Sequence, residues 1–203
     1  MPSFRYLLAP LAACLLLSGC LMNSTRPLPS GGTPSFFWRA VVVYGIGMEG
    51  TWDAQRFAVE LEEYSLADQA ITGGCLFYNR TEGSIPSVPG PVQYVAFDVP
   101  AGNYAYGRLI DEPSGKATAF NAPAGRIVYL GDFIYTREKR MELRRDLKAF
   151  EQVRKQALPD LKGEIALAET QTVARPRFFY VLPDSTRQIV PFWQPHRPLT
   201  MPG

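Results

Sequence analysis

FDVPAGNYAYGRL (residues 97–109) and APAGRIVYLGDF (residues 122–133) are built to one plan. In each, Pro-Ala-Gly precedes a run that reads as a strand. Proline presets φ at the first corner of a turn, and glycine suits its last position. Each run then carries a tyrosine and a glycine, Tyr106-Gly107 and Tyr129-Leu130-Gly131. Two strands entered through the same turn set the expectation for their surroundings. Upstream, residues 38–44 (WRAVVVY) are β-branched and aromatic, and residues 56–62 (RFAVELE) alternate apolar with polar or small side chains. A period of two buries one face and wets the other. Further short runs follow at 75–79, 93–99, 104–110, 117–120, 126–135 and 174–181. Many short strands between Gly/Pro turns predict a mainly β fold, an antiparallel β-sandwich, over residues 36–181.

The chain has 203 residues, 46% of them hydrophobic, which suits one core-forming domain with a tail. A formal net charge of +2 provides no electrostatic footprint for nucleic acid. Residues 137–158 (REKRMELRRDLKAFEQVRKQAL) break the β pattern with good helix formers and no Gly or Pro. Thr136 can cap this predicted helix and Pro159 stops it. Leu143, Leu147, Phe150, Val153, Ala157 and Leu158 form an apolar stripe at helical spacing. Arg137, Arg144, Lys148 and Lys155 line one flank, and Glu138, Glu142 and Asp146 the other. Two readings stand: a helix docked on the sheet with solvated flanks, or a basic face for anionic lipid, lipopolysaccharide or an envelope protein partner. Residues 182–203 hold five prolines with Phe192, Trp193 and His196, and read as a Pro-rich C-terminal arm.

From about Asp98 to Gly163, the paired Pro-Ala-Gly strands, the charged helix and ALPDLKG resemble the prealbumin-like, or carboxypeptidase-regulatory-like, β-sandwich of many uncharacterised bacterial lipoproteins. That resemblance implies a fold and carries no catalytic residues.

The N-terminus points to the same compartment. Arg5 precedes an 11-residue apolar run, LLAPLAACLLL (residues 7–17). A bilayer-spanning helix needs roughly 20 apolar residues, so the run reads as a secretory signal. It ends in Leu17-Ser18-Gly19-Cys20, which resembles the lipobox of bacterial lipoproteins. The resemblance implies cleavage of signal peptide 1–19, a diacylglyceryl thioether on Cys20 and acylation of the new amine. Two or more acyl chains anchor stably where one does not. The residue after Cys20 is Leu21 rather than Asp, which by the same resemblance favours the outer membrane, on its periplasmic side. Residues 20–35, polar with three Pro and two Gly, read as a lipidated tether. Fifteen flexible residues would reach on the order of 20 Å. Cys75 would be the one remaining thiol, which reads as a buried small hydrophobe.

Catalytic constellations fare poorly. Gly45-Ile46-Gly47-Met48-Glu49-Gly50 spells a dinucleotide fingerprint after a strand, but no β-α-β alternation follows it. It reads instead as a turn between paired strands, with no helix beginning at Thr51. No G-x-S-x-G, H-E-x-x-H or Cys-x-x-Cys occurs. The single histidine, His196, lies in the Pro-rich arm. Glu60, Glu62 and Glu63 could be grouped as a carboxylate cluster, but on a strand Glu60 and Glu62 share one face and read as solvated, and Asp111–Gly115 reads as a turn. No cofactor, metal or catalysis is implied. The expected role is lipid-anchored envelope structure or binding; the alternative is a periplasmic small-molecule or glycan-binding module, which would need a deep aromatic-lined pocket.

Overall fold

The computed structural model describes residues 22–73, 77–106 and 115–175. Two mainly antiparallel sheets pack face to face as a sandwich. The first contains β2 (Arg26–Pro27), β3 (Arg39–Met48), β8 (Gly90–Pro100), β11 (Ile127–Tyr135), β12 (Met141–Arg144) and β13 (Ile165–Leu167). Its order is β12-β11-β3-β8-β2, with β13 also on β11. The second contains β4 (Arg56–Ser65), β5 (Ala70–Ile71), β7 (Arg80–Pro86), β9 (Gly102–Tyr106), β10 (Lys116–Ala122) and β14 (Thr170–Ala174). Its order is β14-β10-β9-β4-β5, with β7 also on β4. A small parallel pair, β1 (Met22–Asn23) with β6 (Phe77–Tyr78), lies outside both sheets.

Alternation puts Tyr44 and Ile46 of β3, Val59 and Leu61 of β4, Phe120 of β10 and Phe133 of β11 between the sheets. The other parity of β3, Val41 and Val43, faces outward and is covered by α1 (Leu147–Ala157), through Phe150, and by Leu161. Every residue of β3 is therefore buried. A strand covered on both faces accounts for the unbroken apolar run in its sequence. β3 runs antiparallel to β8 but parallel to β11. The β3–β11 register shifts between Tyr129 and Gly131, a bulge that reverses the parity of β11. Val128 and Leu130 point into the core before it, and Phe133 and Tyr135 after it.

The helix differs from its predicted extent of 137–158. It begins at Leu147, capped by Asp146, whose carboxylate accepts from the Ala149 amide at 3.0 Å. Thr136 instead opens a tight turn to β12, closed by Lys139 N donating to Thr136 O at 3.1 Å. Residues 141–144 pair with 132–135 of β11. Met141 is buried in the inter-sheet core and Leu143 packs against it. Edge pairing plus this burial outweigh a per-residue helix preference of a few tenths of a kcal/mol. Within the helix, Phe150 is fully buried while Val153 is 39% exposed, so the docked stripe is narrower than the spacing suggests.

Gly45 and Gly47 lie inside β3 rather than in a turn. They leave room on its outer face: a Cβ on Gly45 would meet Asp132 Oδ1 at 2.1 Å and Val92 Cγ1 at 2.6 Å. β3 and β4 belong to different sheets, and no helix begins at Thr51. The segment read as a tether is also docked from Asn23 to Ser35. Arg26 and Pro27 pair with Asp98 and Phe97, and Leu28 N donates to Ala96 O at 3.0 Å. Lys162 N donates to Gly32 O at 2.8 Å. Composition misled here because proline is tolerated on an edge strand, where β8 needs a partner. Cys20, Cys75, the 107–114 segment, residues 176–181 and the 182–203 arm lie outside the described residues.

Candidate functional site

At one end of the sandwich β3 begins, β8 ends, β9 begins and β10 ends: Arg39 is opposite Pro100, and Ala122 opposite Gly102. Both Pro-Ala-Gly turns lie at this end. It is pinned from inside by a buried ion pair. Asp98, fully buried, accepts Arg39 Nε at 2.5 Å and Ser35 Oγ at 2.7 Å on Oδ2. Its Oδ1 accepts the Ser35 amide at 3.2 Å. Arg39 Nη2 donates to the carbonyls of Ser24 and Asp98, each at 2.8 Å. One carboxylate and one guanidinium thus hold the N-terminal segment at both Ser24 and Ser35.

Between Ser35 and Arg39 the chain presents Phe36, Phe37 and Trp38, respectively 50%, 81% and 52% exposed. The rings form one cluster. Phe36 stacks on Trp38 at 4.7 Å and 2°, and Phe37 meets Trp38 edge-on at 4.7 Å. Backbone bonds hold the loop: Arg39 N donates to Phe36 O at 3.0 Å, and Ala101 N to Trp38 O at 3.3 Å. Gly125 N donates to Arg39 O at 2.7 Å, and its φ of +71° favours glycine there. The two turns therefore frame the aromatic loop. Arg26 and Arg126 are exposed beside it. Phe77, 61% exposed, stands on the strand paired with β1, where the N-terminal segment enters.

A second cluster lies under the helix. The β11 bulge brings Tyr129 and Asp132 to the same outer face, and Gly45 makes room for the carboxylate. Tyr129 OH donates to Asp132 Oδ1 at 2.7 Å and Tyr94 OH to Oδ2 at 3.3 Å. Phe150 covers both phenols, stacking on Tyr129 at 4.6 Å and leaning on Tyr94 at 5.0 Å. Burial raises the Asp132 carboxyl above its usual range despite the two phenol donors. Burial next to that carboxylate pushes Tyr94 up to about 12 and raises Tyr129 as well. These groups fasten the helix to the sheet.

The predicted basic flank is not one face of one helix. Arg137 lies in the turn after β11, Arg144 ends β12, and Lys148 and Lys155 are exposed on α1. Arg144 is ion-paired with Glu49 at 2.7 Å and Glu142 at 3.0 Å, which offset its charge. Glu60 and Glu62 are not a solvated face either. They flank buried Arg80 at 3.8 and 3.9 Å, with Glu82 at 3.7 Å. An open groove on the outer face of the second sheet, between Leu66, Asn121 and Glu169, has no aromatic side chain in its lining.

The sequence pattern puts Phe36 at the start of the domain and Trp38 in a strand, and so does not mark an aromatic loop. The available signal was three consecutive aromatics next to an arginine. Among the described residues, no helix is long and apolar enough to cross a membrane. Comparison with known protein families, curated proteins and solved structures finds no match.

Proposed function

We propose that this protein is a lipid-anchored component of the bacterial cell envelope, held at the outer membrane through Cys20 on the periplasmic side, with a structural or binding role and no catalysis. The observation that carries the reading is Leu17-Ser18-Gly19-Cys20 closing an apolar run of signal-peptide length. A mainly β sandwich is the fold class that the lipoprotein resemblance of its two Pro-Ala-Gly strands implies. The docked N-terminal segment supports a domain held close to its anchor. Arg137, exposed in the turn after β11, and Lys148 and Lys155, exposed on α1, are open to an acidic envelope protein. A glycan-binding module draws less support, since the groove on the second sheet lacks the aromatic platform that such a ligand would use. Replacing Cys20 by alanine tests the anchor. Incorporation of labelled fatty acid and partitioning into a detergent phase should both be lost. A variant that still labels and stays membrane-bound refutes the proposal.

A further inference from the structure

We propose that the aromatic end of the sandwich, Phe36, Phe37 and Trp38 with Phe77, rests in the interface of the same bilayer that holds the Cys20 acyl chains. This rests on the lipid-anchor reading above. Two peptide steps separate Cys20 from Met22, the first described residue, a span of at most about 7 Å. The chain is docked from Asn23 onward: Asn23 Nδ2 donates to Arg80 O at 2.7 Å, and Ser24 O is held by Arg39 at 2.8 Å. The docked segment therefore begins within that span of the anchor.

The docked segment enters at the end that carries the aromatic loop. Arg39, whose guanidinium holds Ser24, directly follows Trp38. Among the described residues five large aromatic side chains are exposed: Phe36, Phe37, Trp38, Trp52 and Phe77. Four of them lie at this end. Trp52 packs on Tyr135, which is level with Met48 at the far end of β3. Nine residue steps along β3 put it about 30 Å away. An exposed Trp suits an interface where one side is apolar and the other wet, and exposed Phe side chains beside it suit burial at the headgroup–acyl boundary. Arg26 and Arg126 flank the loop, where anionic headgroups would attract them. Anchor, aromatic cluster and cationic rim thus share one end, and a lipid surface satisfies all three.

Tryptophan fluorescence in reconstituted vesicles tests the placement. Acylated full-length protein is inserted into phosphatidylcholine/phosphatidylglycerol vesicles in two forms. One carries Trp52→Phe and Trp193→Phe, so that Trp38 reports; the other carries Trp38→Phe and Trp193→Phe, so that Trp52 reports. Labelled fatty acid on Cys20 is measured in the same samples. With label present, lipids brominated near the headgroup should quench Trp38 at least threefold more strongly than Trp52. Phe37→Ser should reduce that difference. Equal quenching of the two, with label present, overturns the inference and leaves the anchor standing. Trp38 shielded from acrylamide but not quenched by the lipid means that a second copy covers the loop, which also overturns it. Absence of label removes the anchor and this inference with it.

Discussion

Phe150→Ala is the sharpest test of how the helix is held. The side chain is fully buried, with Tyr129 stacked on it at 4.6 Å and Tyr94 at 5.0 Å. Truncating a buried phenylalanine to alanine costs about 3–5 kcal/mol, because transfer and cavity contributions add. Each aromatic pair contributes about 0.5–1.5 kcal/mol beyond area burial, which places this site in the upper part of that range. Val153 on the same helix is 39% exposed, so Val153→Ala is the matched control, with an expected change within about 0.5 kcal/mol. Urea unfolding followed by far-UV circular dichroism and tyrosine fluorescence reads both. With a slope of about 2 kcal/mol/M, Phe150→Ala should lower the midpoint by about 2 M. A loss below about 1 kcal/mol, or equal losses in the two variants, would refute the docking of α1 through Phe150.

Asp98→Ala removes the partner of a buried guanidinium and should cost about 3–5 kcal/mol. It should also release residues 23–35, which limited proteolysis would detect as new cleavage there; an uncut segment contradicts the pinning role. Gly45→Ala puts a methyl group 2.1 Å from Asp132 Oδ1 and should destabilise by about 1–3 kcal/mol in the same unfolding assay, and an unchanged midpoint would contradict the close approach. Asp132 makes a pH prediction. Its folded carboxyl is raised above the ordinary value of 3.8, so the native state binds this proton more tightly than the unfolded chain. Its contribution therefore improves as pH falls from neutral through the raised value towards 3.8, and wild type should gain on Asp132→Asn between pH 7 and pH 4. The opposite trend would show that the carboxylate is stabilised by its surroundings.

The β-sandwich was legible because turn chemistry and period-two alternation agree over most of the chain, as at Arg56–Ser65, where Phe57, Val59 and Leu61 all face the core. Where the structure departs from the sequence pattern, one physical cause recurs: a long-range partner overrides local composition. Residues 141–144 have helix-forming composition, yet they pair with residues 132–135 of β11. The proline-bearing N-terminal segment has the composition of a linker, yet Asp98 and the edge of β8 hold it in place. Gly45 and Gly47 suggested a phosphate loop or a turn, whereas they make room for Val92, Asp132 and Ile134 beside the strand. The bulge at Leu130 reverses the parity of β11, so strict alternation could not place Tyr129 and Asp132 on one face. For the candidate surface, no local rule separates an exposed Phe36-Phe37-Trp38 from the first residues of a buried strand. The difference lies in the Arg39–Asp98 pair, 59 residues apart in sequence, which holds the segment at the rim.

Cys20 is the residue on which the proposed anchor rests. Intact-mass and N-terminal peptide mass spectrometry of the protein extracted from its own membranes measures that residue directly. The mature chain should begin at Cys20, with a diacylglyceryl group on the sulfur and an acyl group on the amine. A chain that keeps residues 1–19, or one that begins elsewhere with Cys20 unmodified, would contradict the proposed anchor.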